Sequence, residues 1–409
     1  MLIRFEASHH RSIAEPVELS MVAVDRDRDA ARDQPMLGES LLTRAAIYGP
    51  NASGKSNVLS ALSWLSDAVR ESLRSWDLLI PVEPFAFAVE PPASEFVFEA
   101  VIDGVRFEYL LEVDAERIHY EALFHYPEKK RRRVFERAGD DLKLQRGLGA
   151  LSGTRELLTR RTVALSAARR FGEPLVTRFA DEITQIQAFG TSLGEPLTTR
   201  PDLLSNQGPF LASQPPEQRE KALAMLRMAD LGIEDVEISE PAREAPAPGH
   251  SSFLDRRVRL LHRTANGVVP FDLRAESQGT RTWLELIEPV LAVLARGSLL
   301  LLDELDASLH PTLSAELLRI FADRSLNPKG AQLVFTSHDT SLLNHLNRDE
   351  VWLTEKRPDG STRLGALAEF AGERVRKSQN LESAYLHGRF GALPQVDQAL
   401  FLRALGLIR

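Results

Sequence analysis

Alternating and buried-strand runs predict a strand-rich first region up to about Leu144, with strands at Leu2–Phe5, Val17–Leu19, Ala45–Tyr48, Phe96–Ile102, Arg106–Val113 and Arg117–Phe124. Asp103-Gly104 supplies a hairpin turn between two of them. One helix interrupts this region, from about Ser56 to Ser75. From Gly147 to Leu231 the pattern turns helical, at Arg155–Arg170, Leu175–Ala188 and Glu217–Ala229, the last opened by Pro215-Pro216. No heptad register persists long enough for a coiled coil.

A proline-rich stretch from Glu240 to Gly249 reads as an extended linker. Beyond about Phe253 the texture returns to strands and helices. A buried-strand run at Leu299–Asp303, a helix from about Pro311 to Asp323 and a second buried strand at Gln332–Thr336 give βαβ texture and imply a parallel sheet. The expected division is 1–145, 146–239, 240–250 and 251–409, which suits a length of 409 residues.

Composition narrows the setting. The all-leucine run Leu299–Leu302 is far short of the roughly 20 apolar residues a membrane helix requires. The first residues lack a signal-peptide core, and there is no cysteine, so a soluble, cytoplasmic protein without disulfides or thiolate metal sites is expected. A net charge of −8 gives no global field for nucleic acid, so any DNA contact must be local.

The chemistry begins at Gly49-Pro50-Asn51-Ala52-Ser53-Gly54-Lys55-Ser56, followed by Asn57, between a strand and a helix. This is a P-loop in its proper context. Glycines let backbone N–H groups curl toward a phosphate, Lys55 reaches the β/γ oxygens, and the Ser56 hydroxyl is a Mg²⁺ ligand. Leu299–Leu302 ends in Asp303-Glu304, a Walker B pattern: Asp303 holds Mg²⁺ through water and Glu304 polarises the attacking water. Alone, that run is as readily an ordinary strand terminus.

Between them lies Glu276-Ser277-Gln278-Gly279-Thr280. Taken by itself it is a plain helix N-cap; its position makes it a candidate second phosphate cap. Leu305-Asp306-Ala307-Ser308-Leu309-His310-Pro311 follows Glu304, and Phe335-Thr336-Ser337-His338-Asp339 follows the next strand. His338 closes an ordered series.

That series resembles the ATPase heads of ABC, SMC and RecF-type proteins. Together with His10-Arg11-Ser12 and the ending Ser383-Ala384-Tyr385-Leu386-His387-Gly388-Arg389-Phe390-Gly391-Ala392-Leu393-Pro394, it is similar to the bacterial stand-alone ATPases related to the OLD family. The resemblance covers 1–145 and 250–409 well and the helical stretch poorly.

It implies an α/β fold: an ABC-type P-loop ATPase head assembled from N- and C-terminal lobes, with a helical insert projecting between them. It also implies ATP and Mg²⁺ as cofactors, with Gly49–Asn57 binding ATP and Ser56 and Asp303 holding the metal. Glu304 and His338 become the catalytic pair, Asp306 the dimer-sensing loop, and Ser277, Gln278, Gly279 and Thr280 the signature that caps ATP on another subunit. The expected assembly is a homodimer or larger even oligomer.

A separate effector, a nuclease of an anti-phage system, is the expected partner; the alternatives are a RecF/SMC-like DNA-repair ATPase and a non-hydrolysing ATP-gated scaffold. Two departures stand out. No glutamine lies between Gly54 and Arg133, where a Q-loop is expected, and the signature reads Ser-Gln-Gly rather than Ser-Gly-Gly.

Two charged runs remain. Lys129-Lys130-Arg131-Arg132-Arg133 is a solvated turn or charge-protected edge on the bland reading and a phosphate contact on the other. Asp25-Arg26-Asp27-Arg28-Asp29 reads as a solvated turn rather than a metal cluster.

Overall fold

The structure, a computed structural model, describes residues 1–190, 215–229, 232–239, 257–307, 309–370 and 381–387. The linker 240–250 and residues 388–394 of the C-terminal motif lie outside the described residues.

Two large sheets carry the fold. The first is antiparallel and has seven strands: β1 (Leu2–Ser8), β2 (Val17–Ser20), β6 (Ser94–Ile102), β7 (Val105–Val113), β8 (Ile118–His125), β9 (Arg132–Ala138) and β10 (Asp141–Leu144). Their spatial order is β10-β9-β8-β7-β6-β1-β2. The second sheet has six strands: β11 (Gln187–Phe189), β15 (Leu299–Leu302), β16 (Gln332–Thr336), β5 (Arg44–Tyr48), β17 (Val351–Lys356) and β18 (Thr362–Ala366), in that spatial order. All its pairings are parallel except β17 with β18. A small sheet of β12 (Ile233–Ser239), β13 (Arg257–Thr264) and β14 (Gly267–Asp272) and a hairpin of β3 (Ala31–Gln34) and β4 (Glu39–Leu42) complete the set.

The parallel sheet explains the aliphatic runs: its strands are covered on both faces, so they have no polar alternation. Ala45, Ile47, Leu299, Leu301 and Val334 face one core, which includes Val58, Leu62 and Leu65 of the P-loop helix Lys55–Ser75. Ala46, Tyr48, Leu300, Leu302, Leu333 and Phe335 face the other, with helices Gln278–Arg296 and Pro311–Ala322. Each fully buried leucine or valine stabilises by about 1.5–3 kcal/mol, so this central layer is costly to disturb. β5 comes from the N-terminal lobe and β15, β16 and β17 from the C-terminal one, so neither lobe forms the sheet alone.

The structure corrects the helical middle. A single helix over 155–170 is replaced by Thr154–Leu157 and Ala164–Ala168 with a non-helical bend between. Buried side chains of the antiparallel sheet claim the backbone there. Arg137 donates to the carbonyls of Thr159 (2.7 Å) and Thr162 (2.6 Å), and the buried Glu121 carboxylate accepts from the N–H groups of Ala164 (2.5 Å) and Leu165 (2.7 Å). These bonds compete with a continuous helix. Burial raises the Glu121 carboxyl above the usual range, against the opposing pull of Arg137 and these N–H groups.

Nor do these helices project. Leu165, Val176, Phe179 and Ile183 join the core of the P-loop helix. The next predicted helix ends at Thr184, and Gln187–Phe189 pairs with β15 instead, because an edge position beside a buried strand satisfies its backbone. Among the described residues no helix is long and apolar enough to cross a membrane.

Candidate nucleotide site

Strand register gathers the candidate residues. Leu302 lies opposite Phe335, and Phe335 opposite Ala46, so the carboxyl ends of β15, β16 and β5 finish side by side. Open α/β sheets bind ligands at that edge.

Gly49–Ser56 curls from β5 into the P-loop helix. Gly49 (φ +155°) and Gly54 (φ +98°) adopt backbone that side chains rarely take, and a Cβ would strike Thr354 at the first and Thr362 and Ser12 at the second. Ser53 is buried against Thr354 (2.6 Å), while Asn51 and Ala52 form the exposed tip, Ala52 with φ 59°. No side chain caps the helix after Gly54, which leaves its first turn open toward an anion. The Lys55 ammonium donates to the carbonyls of Gly49 (3.0 Å) and Pro50 (3.1 Å). Burial pushes its pKa down, while Asp303, Glu304 and Asp306 pull the other way. Asn57 donates to Ser12 Oγ (2.6 Å), which binds the P-loop to the turn after β1.

Asp303 is the hub. Its Oδ1 accepts from Ser56 Oγ (2.8 Å) and Thr336 Oγ1 (2.7 Å). Among the described residues, its Oδ2 is buried without a hydrogen-bond partner. A buried carboxylate oxygen left unpaired is costly, and a hydrated cation beside Ser56 would satisfy it, so the donor set fits Mg²⁺. Glu304 is exposed, with φ 55°, and its N–H donates to Thr336 Oγ1 (2.7 Å). Asp306 Oδ1 accepts from the His338 N–H (3.0 Å), and the His338 side chain is exposed.

The signature turn sits apart. Ser277 caps helix Gln278–Arg296, accepting from Thr280 N (3.1 Å) and pairing with Thr280 Oγ1 (2.9 Å). Ser277 and Gln278 are exposed, Gly279 is half-buried and Thr280 buried. Trp283 anchors the helix by donating to Met225 O (2.6 Å). Among the described residues, no hydrogen bond joins this turn to residues 49–57.

Sequence reasoning missed Thr336, which bonds both Asp303 and Glu304, and three further contributors. Thr354 and Thr362 wall the P-loop from β17 and β18, and β11 brings Gly190 against Asp303, whose N–H donates to Phe189 O (2.9 Å). The short strand-then-glycine pattern Gln187-Ala188-Phe189-Gly190 was the available signal.

A family model described as "AAA domain, putative AbiEii toxin, Type IV TA system" matches residues 44–159 and 180–344, and the chain belongs to this family. The family match makes it an AAA-domain protein, with an α/β architecture that places a P-loop at the carboxyl edge of a parallel sheet. Solved structures with similarity include the SMC head domain from Thermotoga maritima, with TM-score 0.41 and 13% identity, covering 89% of this chain and 98% of that one. An SMC head bound to the C-winged helix domain of ScpA gives TM-score 0.43 and 12% identity, covering 89% and 97%. An SMC head with an extended coiled coil, bound to the C-terminal domain of ScpA derived from Pyrococcus furiosus, gives 0.42 and 13%, covering 90% and 97%. No curated protein matches the chain in sequence.

Proposed function

We propose that the chain binds ATP with Mg²⁺ at Gly49–Asn57 and hydrolyses it with Glu304, in a dimer whose closure regulates a separate effector. The observation that carries the reading is the Asp303 carboxylate, bonded to Ser56 through one oxygen and buried at the other without a partner among the described residues. Ser56 and Asp303 would hold the metal, which supplies neutralisation of phosphate charge.

The chain's own groups do the rest. Lys55 exchanges its loop carbonyls for the β/γ-phosphate oxygens, and the uncapped N-terminus of the P-loop helix adds its dipole. Glu304 stands exposed at the strand end, where it orients and polarises water. His338 and Asp306, linked through the histidine N–H, respond together to the γ-phosphate and to a second copy. Ser277–Thr280 of that copy caps the nucleotide, which fits the exposure of Ser277 and Gln278 within one chain.

The family description names a toxin–antitoxin system, which supports action on a separate protein; an effector nuclease in anti-phage defence, with kinship to the OLD group, is our choice. The exposed cations of residues 129–132 favour a second reading, DNA clamping. Turnover tests the central claim. Glu304→Gln should keep ATP bound while lowering kcat by a factor on the order of 10²–10⁴. Hydrolysis at the parental rate, or an ATP-loaded variant that stays monomeric in light scattering, would refute the mechanism.

A further inference from the structure

We infer that Thr336 is a positioning residue that sets both Walker B carboxylates at once. The inference rests on the ATPase reading of the same site. Thr336 ends β16, fully buried, one residue beyond the Leu302–Phe335 pair. Its hydroxyl gives its only proton to Asp303 Oδ1 (2.7 Å) and receives the Glu304 N–H (2.7 Å). Its carbonyl accepts from Leu305 N (3.0 Å). One residue therefore grips three consecutive positions of the neighbouring strand end.

The direction of these bonds matters. A hydroxyl can donate and accept together, which valine and alanine cannot. The Glu304 peptide, held in left-handed backbone that glutamate rarely adopts, is fixed on its N–H side by that oxygen and on its far side by the Leu305 bond. Ser56 is the other donor to Asp303 Oδ1, and a metal ligated by Ser56 would draw that hydroxyl away. Thr336 then keeps the carboxylate aimed through Oδ1, while Oδ2 has no hydrogen-bond partner among the described residues. Two residues on, the His338 N–H to Asp306 bond joins the same two segments, so a shift at Thr336 also reaches the switch.

The test uses the full chain with Thr336→Ser, Thr336→Ala and Thr336→Val, and Glu304→Gln in parallel. Turnover, its Mg²⁺ dependence and binding of ATP without Mg²⁺ are measured, with melting curves as the folding check. Loss of a group that orients a metal ligand costs about 10–100-fold, so Ala and Val should lose that much in kcat and need more Mg²⁺ for half-maximal rate, while Ser stays within about threefold of the parent. Metal-free ATP binding should not change. Ser and Ala lack the same methyl, so any packing loss is common to both and cancels in their ratio, even if the valine variant fails to fold. Equal turnover in Ser and Ala overturns the inference. A dead Glu304→Gln beside a parental Thr336→Ala overturns the inference alone; a parental rate in Glu304→Gln overturns the ATPase reading beneath it.

Discussion

The P-loop and Walker B junction and the signature turn are both short polar segments at helix N-termini, yet the chain treats them in opposite ways. At the junction, hydroxyls of Ser53, Ser56, Thr336, Thr354 and Thr362 hold the loop and Asp303 from three other strands, mostly out of water. Each such bond contributes roughly 1 kcal/mol net, and breaking one leaves a buried polar atom unpaired at a higher cost. In the signature turn, Ser277–Thr280 bond among the described residues only within their own helix, beside a Glu276–His262 pair (2.8 Å), and Ser277 and Gln278 are exposed. On the proposed function, a site that must hold its shape through a cycle is fixed by neighbours, and a surface that must meet another chain is fixed by its own helix.

The largest effect should come from the fixed half. Lys55→Ala removes the charge that faces the phosphates, and tight ATP binding should disappear. At ATP a hundredfold above the parental Kd, ligand linkage stabilises the parent by about 2.7 kcal/mol, seen as a rise in Tm that the variant should lack. Without ATP the variant should lose only about 1 kcal/mol per missing bond to Gly49 and Pro50. Equal ATP affinity in the two proteins would remove the P-loop assignment.

The exposed half predicts a composite effect. Ser277→Arg should stop turnover by obstructing a second copy, with its own P-loop still able to bind ATP. Mixed with Glu304→Gln, it forms dimers in which one site joins an intact Glu304 to an intact signature. Random pairing makes half the dimers mixed, with one complete site of two, so about a quarter of the parental rate should return if sites fire independently. No recovery, with mixed dimers confirmed by differential tags, would place the signature in the same chain as the P-loop it serves or require both sites to fire together.

The same contrast explains what the sequence made legible. Gly49, Gly54, Lys55, Asp303 and Glu304 follow local rules, since spacing, glycine backbone and strand burial all act within a few residues. Thr336, Thr354 and Thr362 act across strand register, at separations of 33, 301 and 309 residues in their bonds to Asp303 and Ser53, and no local pattern marks a threonine for that. The helix over 155–170 failed for the same reason. Arg137 and Glu121, both fully or nearly fully buried, take its backbone groups from another sheet. Similarly, the Asp25–Asp29 turn is less solvated than its charges suggest, because Arg28 pairs with the buried Asp349 (2.6 Å) and Glu350 (3.0 Å).

The smallest effect concerns the basic run, where the contrast between internal bonding and outward display operates within five residues. Arg131 lies over the Phe124 ring (3.5 Å) and pairs with Glu108 (2.9 Å), and Arg133 pairs with Glu136 (3.0 Å). These two serve the sheet. Lys129, Lys130 and Arg132 are exposed and make no ion pair among the described residues. Changing only those three to glutamine should leave Tm and ATP turnover at parental values, because nothing in the fold depends on them. If they meet DNA phosphates, affinity should fall and the slope of log K against log salt should become shallower by about 0.9 for each duplex phosphate no longer neutralised, up to nearly three. A slope that does not move assigns the turn to solvent, and DNA clamping then loses the observation that favoured it.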